Sequence, residues 1–113
     1  MAPAPQAPQG PKGPGTAAGP ALPAGTLIGC FKDTNAFDLD GYLERSRQNT
    51  PQRCISICAG KGFRYAGLQY SESCLCGNSY GRYGPAGNCN MKCTGGTMMC
   101  GGYSSNHVYA TGR

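Results

Sequence analysis

Two stretches decide the fold. They are Thr50-Pro51-Gln52-Arg53-Cys54-Ile55-Ser56-Ile57-Cys58-Ala59-Gly60 and Tyr65-Ala66-Gly67-Leu68-Gln69-Tyr70-Ser71-Glu72-Ser73-Cys74-Leu75-Cys76-Gly77. In the first, the Thr50 hydroxyl can accept from the free N–H groups of a helix start, Pro51 suits the first helical position, and Gly60 or Gly62 can stop the helix. Cys54, Ile57 and Cys58 then share one helical face. In the second, Phe63 to Tyr70 reads as a strand with Ala66, Leu68 and Tyr70 on one side and Phe63, Tyr65 and Gln69 on the other. Ser71-Glu72-Ser73 reads as a turn and Cys74-Leu75-Cys76 as the returning strand of a hairpin.

Four apart on a helix, Cys54 and Cys58 rise by ~6 Å along its axis. Two apart on a strand, Cys74 and Cys76 are separated by ~6.6–6.8 Å on one face. Ladders of such similar pitch can be joined by two parallel bridges. Partners within either pair suit one another poorly, because their side chains are held roughly parallel. The spacing therefore predicts a helix stitched to a hairpin through 54/58 and 74/76, leaving Cys30, Cys89, Cys93 and Cys100 with three possible pairings.

Outward from this centre, a first strand is predicted over Leu27 to Phe31 and a last strand, closing the sheet, over His107-Val108-Tyr109. Glycines punctuate the loop-rich region beyond Gly77. Before Gly25 the composition changes: seven of the nine prolines lie there, Lys12 is the sole charge, and the rest is mostly Ala and Gly. Residues 1–25 are read as a disordered linker and 26–113 as the folded domain. Gly10-Pro11-Lys12-Gly13-Pro14-Gly15 begins a collagen-like period, which Gly15 breaks at once.

A chain of 113 residues with 39% hydrophobic residues, 13% charged residues and no Trp is one small domain with a thin core, which excludes a doubly wound enzyme, a barrel or a two-domain hinge. Its 8 cysteines point to disulfides and an oxidising compartment, the extracellular space or the secretory-pathway lumen. No signal peptide is visible at the start, so the sequence reads as a fragment, as a chain with a processed or misassigned start, or as one module of a longer extracellular protein. No stretch approaches the ~18 apolar residues of a membrane span. The net charge of +5 is spread along the chain without a basic cluster, so nucleic acid is not an expected partner.

Structural zinc usually draws on Cys-x2-4-Cys pairs, which Cys54/Cys58 and Cys89/Cys93 could supply, but Cys-x-x-Cys is absent and His107 is the single histidine. Asp33 to Glu44 has the length of a calcium loop, but Phe37 and Asp38 stand where such a loop needs a ligand and a glycine. The five acids Asp33, Asp38, Asp40, Glu44 and Glu72 do not frame a glycosidase cleft, and His107 lacks a nucleophile elbow. Neither enzymatic activity, a metal nor a cofactor is expected.

Gly29-Cys30-Phe31-Lys32-Asp33, Cys54-x3-Cys58, Tyr65-Ala66-Gly67-Leu68-x5-Cys74-Leu75-Cys76-Gly77-Asn78, Cys89-Asn90-Met91-Lys92-Cys93-Thr94-Gly95, Cys100-Gly101-Gly102 and Val108-Tyr109 together resemble the WSC domain. The resemblance implies a small α+β, disulfide-rich, PAN/apple-like fold in which an antiparallel sheet cradles one short helix. It also implies four disulfides, pairing Cys30 with Cys89, Cys54 with Cys74, Cys58 with Cys76 and Cys93 with Cys100. WSC domains occur outside the membrane, in cell-wall stress sensors, in receptors and beside glycan-acting enzymes, and are regarded as non-catalytic carbohydrate-binding modules. The partners so implied are polysaccharides or glycoprotein glycans; the alternative is a protein–protein interaction module.

The family motif does not fix binding residues, so these are predicted from chemistry. Sugar recognition needs aromatic rings for C–H faces and polar groups for hydroxyls. Asn78, Tyr80, Arg82 and Tyr83 in one loop, with Tyr103 and Asn106 in another, supply that set. The competing expectation is that these tyrosines pack over the disulfides. Tyr65 and Tyr109 fall in strand patterns and are expected to be structural.

Overall fold

The computed structural model describes residues 21–113. Its elements run β1 (Leu27–Lys32), β2 (Tyr42–Arg45), α1 (Pro51–Gly60), β3 (Tyr65–Gln69), β4 (Ser73–Gly77) and β5 (Ser105–Ala110). The strands form one sheet of order β1-β5-β3-β4-β2, antiparallel at every pairing. The architecture is the expected α+β one, with a single short helix and four disulfides. Among the described residues no helix is long and apolar enough to cross a membrane. Residues 1–20 of the expected linker lie outside the described residues. The following segment leads into β1, with the Gly25 N–H donating to the Ala110 carbonyl at 2.9 Å.

α1 starts where the sequence places it. Thr50 Oγ1 accepts from the Arg53 N–H at 3.1 Å and Pro51 opens the helix. Its buried face presents Cys54 and Cys58 to the sheet, where they join Cys74 and Cys76 of β4 across Cα–Cα distances of 5.5 and 5.3 Å. Ala66, Leu68 and Tyr109 complete this core together with Cys93 and Cys100. Cys30–Cys89 ties β1 to the long loop, and Cys93–Cys100 closes a ribbon in which Lys92 pairs with Met99. All four pairings are those the resemblance implied.

Leu39, Tyr65, Leu75 and Val108 form a second core on the opposite face, with Phe31, Phe37, Leu43 and Tyr80 packed around them. Leu39 reaches the sheet because β3 and β4 offer glycines beneath it. A Cβ on Gly77 would stand 3.0 Å from the Leu39 Cα, and one on Gly67 3.3 Å from its side chain.

One strand lies outside the sequence expectations and two local expectations are corrected. β2 was not predicted; it pairs with β4 through Tyr42↔Cys76 to Arg45↔Ser73. β5 begins two residues earlier than the predicted last strand and joins β1 to β3 within the sheet. Tyr70 does not share a strand face with Ala66 and Leu68: it stands in the turn, with φ of 52°, followed by Ser71 at 66°. The turn therefore starts at Tyr70, and the ring is turned out to solvent.

Candidate functional site

The segment joining β1 to β2 folds over the second face of the sheet and is held there by two buried carboxylates. Asp33 Oδ1 accepts from the N–H groups of Thr34 at 2.9 Å and Asp38 at 2.8 Å, while Oδ2 accepts from Asn106 Nδ2 at 3.1 Å. Asp38 accepts from the backbone of the neighbouring loop, Gly81 N–H at 2.6 Å and Arg82 N–H at 3.2 Å. Desolvation pushes the Asp38 carboxyl above its ordinary value, against the pull of those two N–H donors.

The loop expected to bind ligand forms the other half of this clamp. Arg82 donates to the Phe37 carbonyl and forms ion pairs with Asp38 at 3.7 Å and Asp40 at 3.8 Å. The Tyr83 hydroxyl donates to the Ala36 carbonyl, and Asn78 Oδ1 accepts from the Arg64 N–H at 3.0 Å. Tyr80 is wedged between Phe31 and Tyr65, with ring centroids 5.2 and 4.8 Å away, and burial pushes its hydroxyl up to about 12. Each of these four residues thus has a structural partner. Tyr80 packs on rings, and the Arg82 guanidinium lies over the Tyr83 ring at 5.3 Å.

Asn106 does not share a surface with Tyr103. It is fully buried on β5, its amide held by Asp33, because the longer strand turns its side chain into the sheet. Tyr65 and Tyr109 are buried, as expected.

Tyr103 does lie on an open surface. It is 74% exposed and meets Tyr70, itself 50% exposed, at 6.2 Å and 68°. This ring pair borders a groove of about 270 Å3 on the sheet face that Leu39 leaves uncovered. Leu43, Gln69, Ser73 and Leu75 line it from the strands, Asn35 and Phe37 from the clamped segment, and Arg45 and Ser104 also contribute. Arg45 is paired at 3.8 Å with Glu72. Gln69 Oε1 is buried and has no hydrogen-bond partner among the described residues. Of the expected ligand residues only Tyr103 borders this groove. Tyr70, Gln69, Arg45, Phe37 and Asn35 were missed, since their convergence depends on β2 and on the turn at Tyr70.

The remaining reactive groups are engaged elsewhere. Glu44 pairs with Arg53. The Sγ atoms of Cys54, Cys58 and Cys74 lie within 4.8 Å of one another, as thiolates of a metal site would, but each sulfur is bonded in a disulfide. His107 Nδ1 accepts from the Gly101 N–H at 3.1 Å, and burial lowers its affinity for a proton.

Comparison with known proteins gives a family model, the WSC domain, that matches residues 27–102. Xylosyltransferase oxt of Drosophila melanogaster is 37% identical over 95 residues, which are 79% of this chain and 11% of that protein. Human Kremen protein 1 is 41% identical over 81 residues, 66% of this chain and 17% of that protein. For human Kremen protein 2 the match is 35% over 88 residues, 73% of this chain and 19% of that protein. The chain thus spans between 11% and 19% of the length of these relatives.

Proposed function

The chain belongs to the WSC domain family, and from that premise we propose that it is a non-catalytic, extracellular carbohydrate-binding module of a larger protein. The observation that carries this reading is the exposed Tyr70–Tyr103 pair bordering a groove that also contains Gln69, Asn35 and Arg45. Exposed rings offer apolar area to sugar C–H faces, while amides and a guanidinium can address hydroxyls. Four disulfides suit an oxidising compartment. One relative has xylosyl transfer in its name, which is consistent with a module placed beside glycan chemistry.

The test is a glycan array probed with oxidised protein, followed by titration of the best hit. Wild type is expected to bind, and Tyr103→Ala to weaken binding by about tenfold, as for a contact residue worth more than ~1 kcal/mol. An array without hits would sink the reading. The second reading, a protein-interaction module, is favoured by Met98 and Met99, which are 46% and 39% exposed on the ribbon closed by Cys93–Cys100. Exposed methionines are adaptable contact residues. In that case Met98→Ser with Met99→Ser would abolish partner capture while Tyr103→Ala left it intact.

A further inference from the structure

Resting on the carbohydrate reading, we infer that the groove takes a short, uncharged saccharide of one or two rings, and that Gln69 is its specificity-determining hydroxyl reader.

Size is the first argument. The groove holds about 270 Å3, below the ~300–1,000 Å3 of pockets that enclose drug-sized ligands. Along the strands it ends at Leu39, whose side chain covers Gly67 next to Gln69 and whose backbone covers Gly77 next to Leu75. A long glycan therefore cannot run the length of the sheet face.

Charge is the second. Among the described residues that line it, Arg45 is the sole charged side chain, and Glu72 already faces it. A carboxylated or sulfated sugar would have to compete with that carboxylate, whereas a neutral sugar has no such competition.

The third argument is the division of the floor. Gln69 and Ser73 are cross-strand partners and give one polar end; Leu43 and Leu75 are partners and give an apolar one. A pyranose with a C–H face and a hydroxyl edge matches this arrangement. Gln69 Oε1 is covered and has no hydrogen-bond donor among the described residues. A rotation of the terminal amide into the groove would let it accept from a sugar hydroxyl, a partner that no described residue supplies.

Calorimetry with neutral β-linked gluco-, xylo- and manno-oligosaccharides of one to six units, and with oligogalacturonates, tests the inference in 50 and 300 mM NaCl. Affinity for the preferred neutral series is expected to rise to two units and then level off, to change less than twofold with salt, and to exceed that for the galacturonates. Gln69→Leu is expected to weaken it about tenfold while retaining the wild-type circular dichroism spectrum. The Gln69 side-chain amide resonance of the wild type should shift on titration, which reports on the contact should the variant fold poorly. Three results would each overturn the inference while leaving the carbohydrate reading standing. They are galacturonates binding tenfold tighter, affinity still climbing beyond three units, and a Gln69 amide that does not move as wild type binds. Failure of wild type to bind any glycan on the array or in these titrations would remove both.

Discussion

On one face of the sheet the helix is fastened by Cys54–Cys74 and Cys58–Cys76, with all four cysteines fully buried. On the other, the segment from Asp33 to Gly41 is held by two carboxylates, the Arg82 guanidinium and the Tyr83 hydroxyl. The covalent face buries the cluster formed by Cys54, Cys58, Cys74, Cys76, Ala66 and Leu68. The hydrogen-bonded face is covered where Leu39, Phe37, Phe31 and Tyr80 pack, and beside them it leaves the groove. A small domain with a thin apolar core thus uses sulfur to make one face rigid, which leaves the opposite face to loops that can carry recognition.

The largest effect should come from the covalent face. Replacing Cys58 and Cys76 together by Ala removes one staple without leaving a lone thiol. It should cost about 2–5 kcal/mol in a denaturant titration, the usual loss for a native bridge in a small secreted domain. The clamp should answer more gently. Asp38→Ala strands the N–H groups of Gly81 and Arg82 and should cost about 1–3 kcal/mol, the desolvation penalty of unpaired buried donors. Asp38→Asn should cost less, because its amide oxygen still accepts one of them. Clamp substitutions should also move Asn35 and Phe37, so Asp38→Ala is expected to weaken groove binding while the bridge variant, at a temperature where it is folded, does not. Equal losses of binding in the two variants would break the contrast between the faces.

The same contrast explains what could be read in advance. The covalent face was legible because its information is local: Thr50-Pro51 fixes where the helix begins, and two cysteine spacings fix how it can be joined to a hairpin. The open face depends on long-range placement. Tyr42-Leu43-Glu44-Arg45 is four residues long with two charges, and it becomes a strand only because β4 has a free edge to pair with. Nothing local marks Tyr70 as left-handed, and without that turn its ring would belong to the core. Asn78, Tyr80, Arg82 and Tyr83 have the composition of a sugar site, yet the segment carrying Asp38 engages Arg82 and Tyr83, the Arg64 N–H engages Asn78, and the Phe31 and Tyr65 rings pack on Tyr80. The same residue types serve a clamp or a ligand, and only the fold decides which.

The smallest expected effect tests whether the covalent face also has a hydrogen-bonded weak point. Gly101 follows Cys100 of the Cys93–Cys100 bridge and lies against the backbone of β3 and β5; with φ at +73°, a Cβ there would fall 2.1 Å from the Leu68 carbonyl oxygen. Its N–H is thereby aimed at His107 Nδ1, which can accept only while that nitrogen carries no proton. Burial holds the folded His107 below its ordinary value of 6.5, so the folded chain binds this proton less readily than the unfolded chain does. The associated stability is therefore complete above pH 6.5 and is lost as pH falls through 6.5 and then through the lower folded value. Denaturant titrations at pH 8, 7, 6 and 5 should show wild type losing roughly 0.5–1.5 kcal/mol relative to His107→Gln, about the worth of one hydrogen bond. The Gly101 amide resonance should move over the same pH range. A His107→Gln profile parallel to wild type would mean that the bridge alone positions Gly101, and that the covalent face has no such weak point.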